Sequence, residues 1–226
     1  MRLTVFNGSP RGKSGNTEIL LKKVIDGYTR VVDTDLQWFH LNNFKNREAA
    51  PDAFVSSDIV LLGFPLYTDA MPGLTKAFIE SLASFVGREN NPRMAFLVQS
   101  GFPEAIHSRY VERYLEKLTR RLDAPYAGTI VKGGCEGVRM MPEQMNRKLF
   151  DGLEALGGDL AKSGQFDPVK LKKLAKPERY PRIIAPLFRL ILKLPVMQQY
   201  WNRQLHKNGA YVQRFARPFK EQSKEI

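Results

Sequence analysis

One stretch of the sequence is built to hold an anion. Residues 7–17 read NGSPRGKSGNT, with glycine at 8, 12 and 15, hydroxyls at 9, 14 and 17, and cations at 11 and 13. A short apolar run, RLTVF, precedes it, and the helical pattern TEILLKKVIDGYTR follows. A strand–loop–helix junction presents unpaired backbone N–H groups and the positive end of a helix dipole, and such a junction stabilises negative charge. Gly8, Gly12 and Gly15 allow the backbone to curl closely around an anion. Ser9, Ser14, Asn16 and Thr17 add side-chain hydrogen bonds, and Arg11 adds a charge-assisted one. Helix capping alone needs neither this length nor this many donors.

Two familiar phosphate motifs do not fit. The G-x-x-x-x-G-K-[ST] register that ends on GKS at 12–14 requires glycine at residue 7, which is Asn7. Pro10 removes one N–H from the loop. Asp58 stands at the start of its strand, the wrong end for a magnesium ligand beside this loop. The dinucleotide pattern G-x-G-x-x-G is absent. No metal centre is expected, because His40 and His206 lack a second ligand at useful spacing. His107 reads as a surface or capping histidine. Cys135, the one cysteine, reads as a small buried thiol.

The elements that must position the loop follow from periodicity. Strand-like runs occupy 2–6, 36–41, 58–63, 93–100 and 126–134. Helical patterns occupy 17–30, 73–86, 108–122 and 142–162, with one weaker helix between the second and third strands. DIVLLG at 58–63 is nearly continuous in apolar residues, as a central parallel strand covered on both faces must be. Five β-α alternations in about 160 residues predict a three-layer α/β sandwich with the flavodoxin-like strand order 2-1-3-4-5. Ligands of such sheets sit at the carboxyl ends of the strands, so the loops to watch are 7–17, 64–73 and 99–107.

At this point GSPRGKSGNT resembles the phosphate loop of the NAD(P)H-dependent FMN reductases and related flavodoxin-fold oxidoreductases, G-S-x-R-x-x-x-x-N-T. PLYTDAMPG at 65–73 resembles that family's second signature, P-x-Y-x-x-x-x-P-G. The resemblance covers residues 1–163 and implies bound FMN. It implies that Ser9, Arg11, Ser14, Asn16 and Thr17 hold the phosphate. It implies that Pro65, Leu66, Tyr67, Thr68, Asp69, Ala70 and Met71 border the flavin ring, and by position Ser100, Gly101 and Phe102 close its pyrimidine side. The implied chemistry is hydride transfer from NADPH or NADH to FMN and on to a small acceptor: a quinone, a nitro or azo compound, free flavin or a metal ion. No side-chain acid or base is required. The alternative is a flavodoxin-like electron carrier that serves protein partners. Iron–sulfur relatives carry a cysteine cluster after the second signature, and this chain has none there.

Composition separates the chain into two parts. It has 226 residues, 43% hydrophobic and 26% charged, with a net charge of +12. Residues 1–164 hold 21 Lys and Arg against 19 Asp and Glu, whereas 165–226 hold 14 against 4. This places a flavodoxin-like domain, which the resemblance implies binds FMN, at 1–164 and a basic, partly helical extension at 165–226. The N-terminus lacks the pattern of a signal peptide and no apolar run spans a bilayer, so a cytoplasmic protein is expected. RIIAPLFRLILKL at 182–194 reads as a short amphipathic helix. Its apolar residues are each worth about 1.5–3 kcal/mol on burial. They are expected to dock on the core or on a second subunit, giving a homo-oligomer. Contact with a membrane surface is the alternative. Nucleic acid is disfavoured, since the charge comes without a reader motif.

Overall fold

Alternation along the strands sorts the apolar residues onto two faces of one sheet. A computed structural model describes residues 1–181 and 195–217. Five parallel strands, β1 (Arg2–Asn7), β2 (Asp35–His40), β3 (Ile59–Pro65), β4 (Arg93–Gln99) and β5 (Tyr126–Lys132), pair in the order 2-1-3-4-5. Leu3, Val5, Ile59, Leu61, Ala95 and Leu97 point to one face. There they meet α1 (Asn16–Thr29) and α5 (Glu143–Ser163) through Leu20, Leu21, Val24, Leu153 and Leu156. The residues between them, Phe6, Val60, Leu62, Phe64, Phe96 and Val98, meet the other layer. That layer is α2 (Phe44–Val55), α3 (Gly73–Ser81) and α4 (Arg109–Leu122), through Phe54, Phe78, Ile79 and Leu115. This is the three-layer, five-stranded parallel sandwich that the alternation predicts, with the predicted strand order.

The weak helix between β2 and β3 forms as α2 despite Pro51 in its interior. Asn43 caps its start, its side chain accepting from Asn46 N, and Phe54 and Ala50 bury against the sheet. Packing here outweighs a poor local pattern. The helical pattern at 73–86 shortens to α3 followed by a 3-10 turn at Leu82–Phe85.

The chain divides into two compact units, Met1–Arg179 and Tyr180–Ile226. The composition shift near residue 164 falls inside the first. Phe166 is buried and its N–H donates to Ala127 O at 2.9 Å. A short helix, α6 (Pro168–Leu174), follows, with Asp167 as its cap, and Leu171 and Leu174 pack on the α1–α5 layer. Lys132 Nζ donates to Leu174 O and Lys176 O at the other end of α6. In the second unit, α7 (Pro195–Lys207) leads to a turn where Tyr211 lies between the His206 ring and the Arg214 guanidinium. The helix expected over 182–194 lies outside the described residues. Among the described residues no helix is long and apolar enough to cross a membrane.

The α1–α5 crossing is close because both helices offer glycine. A Cβ on Gly157 would stand 1.9 Å from Val24 O, and one on Gly27 would stand 1.9 Å from Glu154 O. Alanine at a helix interior is normally favoured over glycine by about 1 kcal/mol. Here Gly157→Ala forces the backbones apart and is expected to lower stability by about 2 kcal/mol. Urea unfolding measures it, and a raised midpoint would contradict the crossing.

Candidate functional site

The first loop is held from below by one amide. Asn7 is fully buried at the carboxyl end of β1. Its Oδ1 accepts from Ser9 N at 2.9 Å, and its Nδ2 donates to Gly12 O at 3.3 Å and to Glu18 Oε2 at 2.9 Å. Gly12 turns the chain back with φ +49, and a 3-10 turn over Gly12–Ser14 delivers Gly15 to the start of α1. No side chain caps that start. The N–H groups of Asn16 and Thr17 therefore have no protein acceptor among the described residues, which leaves the positive end of α1 open.

Four loops converge on this helix start. Ser9, Arg11, Gly15 and Asn16 line one side of a small polar cleft. Pro65, Leu66 and Tyr67 line a second side, Gln99, Ser100 and Gly101 a third, and Glu136 a fourth. The loop after β5 is tied to the first loop twice. Asn16 Nδ2 donates to Cys135 O at 2.7 Å and Glu136 O at 3.2 Å. Arg139 Nη2 reaches Lys13 O at 3.2 Å and Gly15 O at 3.4 Å. Gly15 is the floor of the cleft, since a Cβ there would lie 2.8 Å from Ser9 Oγ and 3.3 Å from Arg11 Cβ. The larger grooves, about 830 Å³ between α5 and α6 and about 860 Å³ between α3 and α4, lie between helices and not at the start of α1.

The structure thus brings Ser9, Arg11, Asn16, Pro65, Leu66, Tyr67, Ser100 and Gly101 to one place. It sets the other candidates apart from the cleft wall. Ser14 is exposed and its hydroxyl donates to Arg11 O. Thr17 is fully buried beneath the cleft, its Oγ1 accepting from Gln99 Nε2 at 3.2 Å. Met71 packs into the Phe54–Phe78 layer. Thr68 and Asp69 form the tip of a two-residue turn with φ of 48 and 60, closed by reciprocal Tyr67–Ala70 bonds of 2.8 and 3.0 Å. Positive φ is uncommon for a β-branched residue, and the Thr68 and Asp69 N–H groups have no protein acceptors among the described residues. Phe102 stacks on His107 at 4.6 Å. Asp69 Oδ1 and Glu104 Oε2 flank that imidazole at 3.7 and 3.6 Å.

Sequence reasoning missed Gln99, Glu136 and Arg139. Gln99 is a polar residue ending an apolar strand, a signal that was legible. The other two follow the glycine pair 133–134, which passes against Phe102 and Pro103. It also missed a buried pair under the loop. His40 Nε2 lies 2.9 Å from Glu18 Oε2, and both residues are buried. Burial pushes the Glu18 carboxyl up, but hydrogen bonds from Asn7 and His40 and the positive charge of His40 outweigh it and hold the carboxyl below its usual range. No group of three or more potential metal ligands exists among the described residues.

No protein-family model matches the chain, and no curated protein does. Solved structures do. An NADH:FMN oxidoreductase in its apo form aligns with a TM-score of 0.56 at 16% identity, over 78% of this chain and 96% of that one. An NADPH-quinone reductase from P. pentosaceus aligns at 0.53 and 16%, over 68% and 96%. An FMN-dependent NADH-azoreductase from Bacillus anthracis, in complex with FMN, aligns at 0.53 and 13%, over 71% and 100%. The likeness establishes the fold class: a flavodoxin-like α/β sandwich.

Cys135 is fully buried, and burial pushes its thiol up to about 12. The thiolate is the reactive form. The folded protein is therefore expected to resist a disulfide reagent at neutral pH and to react on unfolding in guanidinium. Fast reaction of the folded protein would contradict the burial.

Proposed function

We propose that this chain is an FMN-dependent NAD(P)H oxidoreductase that reduces a small planar acceptor such as a quinone, an azo or nitro compound, or free flavin. The observation that carries the reading is the open N-terminus of α1, facing a cleft walled by four loops at the carboxyl ends of the strands. The solved structures of the same fold include an FMN complex and enzymes described as quinone and azo reductases.

The residues present fit FMN. The Asn16 and Thr17 N–H groups, the Ser9 hydroxyl and the Arg11 guanidinium suit a phosphate, and the bare Gly15 leaves it room. The Gly101 N–H has no protein acceptor among the described residues and faces the same cleft. Glu136 is an acceptor and suits a hydroxyl or ring N–H of the cofactor better than its phosphate. Pro65, Leu66 and Tyr67 offer a stiff wall for a flat ring, and Tyr67 is 45% exposed. Bound FMN supplies the redox chemistry, accepting hydride from a nicotinamide and passing electrons to the acceptor. The Pro65, Leu66 and Tyr67 wall would orient the ring, and Ser9, Arg11 and the start of α1 would hold the phosphate. We further propose a cytoplasmic enzyme that self-associates, in keeping with a single buried cysteine and no disulfide framework.

Two measurements test this. Under nitrogen, FMN-loaded protein is expected to bleach rapidly with NADH or NADPH. Bleaching only in the presence of a separate reductase would replace the enzyme with an electron carrier. Gly15→Val fills the floor of the cleft without requiring positive φ. It is expected to keep the fold while weakening FMN at least about tenfold, or 1.4 kcal/mol. Unchanged FMN affinity would move the phosphate elsewhere.

A further inference from the structure

The buried pair under the first loop poses an electrostatic problem. Glu18 is in the first turn of α1 and is 5% exposed. The helix end that faces the cleft therefore already carries a carboxylate, and an anion in the cleft meets that charge as well as the dipole. The carboxylate is answered by few groups. From β2, His40 Nε2 stands at 2.9 Å, with the Trp38 indole beside the imidazole at 6.1 Å. From β1 comes the neutral Asn7 amide. From α1 itself, exposed Lys22 Nζ lies 3.3 Å from Oε1. Lys45, Arg47, Glu48 and Asp52 of α2, and Arg11 and Lys13 of the loop, form no ion pair with Glu18 or His40 among the described residues.

We propose that Glu18 and His40 are a proton-linked positioning pair: the loop holds the cofactor phosphate more tightly when His40 carries a proton. The proposal rests on the FMN reading above. With the imidazole protonated, the buried pair is neutral and the helix dipole acts on the phosphate unopposed. With the imidazole neutral, the Glu18 charge remains beneath the loop. In both states the carboxylate accepts from Asn7 Nδ2, and this sets the amide so that Oδ1 meets Ser9 N. Linkage is reciprocal, so binding the phosphate must draw a proton onto the pair.

Calorimetry of FMN binding at about pH 8, where a phosphate monoester is already a dianion, counts that proton when run in two buffers of different ionisation heat. The wild-type protein is expected to take up a fraction of a proton, and His40→Asn none. Riboflavin, which lacks the phosphate, is expected to cause no uptake in either. Between about pH 8.5 and 6.5, FMN affinity is expected to rise roughly five- to tenfold more in wild type than in His40→Asn. Glu18→Gln keeps an acceptor for the Asn7 amide and removes the charge. It is expected to bind FMN at pH 8 at least as tightly as wild type, and thermal melting of the apoprotein shows that the variants fold. A purely architectural pair gives the opposite pattern: no proton uptake, and both variants weakening FMN and riboflavin alike. That result overturns the proposal. If wild type binds no FMN, the FMN reading fails separately. The same titration with sulfate, a dianion throughout this range, then decides the linkage: uptake in wild type alone supports it, and equal uptake or none overturns it.

Discussion

The Asn7 side chain is the constraint on which the site depends. β1 lies between β2 and β3, so its carboxyl end faces His40 on one side and Gly63 on the other. A loop leaving that point needs support from several directions. Asn7 holds Ser9 and Gly12 from below. Thr75 Oγ1 donates to Gly8 O at 2.9 Å from α3, and Gly8 N donates to Gly63 O at 2.7 Å. None of these bonds uses the N–H groups at the start of α1. The loop is therefore rigid without being satisfied, the condition for a preorganised anion site.

The depth of α1 is set by its crossing with α5. Where Gly27 meets Glu154 and Gly157 meets Val24, the two backbones approach too closely for a side chain between them. The crossing also governs the fourth wall of the cleft. Asn146, in the first turns of α5, donates to Val138 O at 2.9 Å and anchors the segment that carries Glu136 and Arg139. Arg139 then reaches Lys13 O and Gly15 O. Core packing and site geometry are thus one problem, because a shift of α5 moves both the helix that presents the N–H groups and the guanidinium behind them.

What was legible in the sequence were the features carried by local pattern. Period-two strands and period-3.6 helices yielded the sheet order, and the glycine–hydroxyl crowding at 7–17 marked the loop that leads to the uncapped start of α1. What stayed hidden depends on long-range contact. In the sequence Glu18 is an acidic residue near a helix start and His40 has no second ligand at useful spacing. They meet only because β1 and β2 pair with Asn7 opposite His40. Thr17 and Met71 sit within signatures whose outer form suggests contact, yet helix phase turns Thr17 under the cleft and Met71, half-buried, packs against the Phe54–Phe78 layer. The composition shift near 164 marks a change in surface charge. Burial of Phe166 and the packing of Leu171 and Leu174 carry the first unit on to Arg179.

That last difference alters how the basic C-terminal stretch is understood. Part of its charge is architectural. Lys170 pairs with Asp159 at 2.6 Å, and the end of α6 receives Lys132. These contacts lay residues 166–176 along β5, an edge strand whose exposed flank would otherwise invite pairing with another chain. Beyond α6 the chain bonds to the loop after β4. Ala105 N donates to Pro177 O at 3.0 Å, Ile106 N donates to Glu178 O at 3.1 Å, and Glu178 takes a forked pair of bonds from Arg109. The Arg109 fork is partly sheltered and holds the Glu178 carboxyl below its usual range. Residues 105–109 follow directly on Phe102 and Glu104 and carry His107. A segment read from composition as an appendage therefore steadies the loop that continues from Gly101 of the cleft.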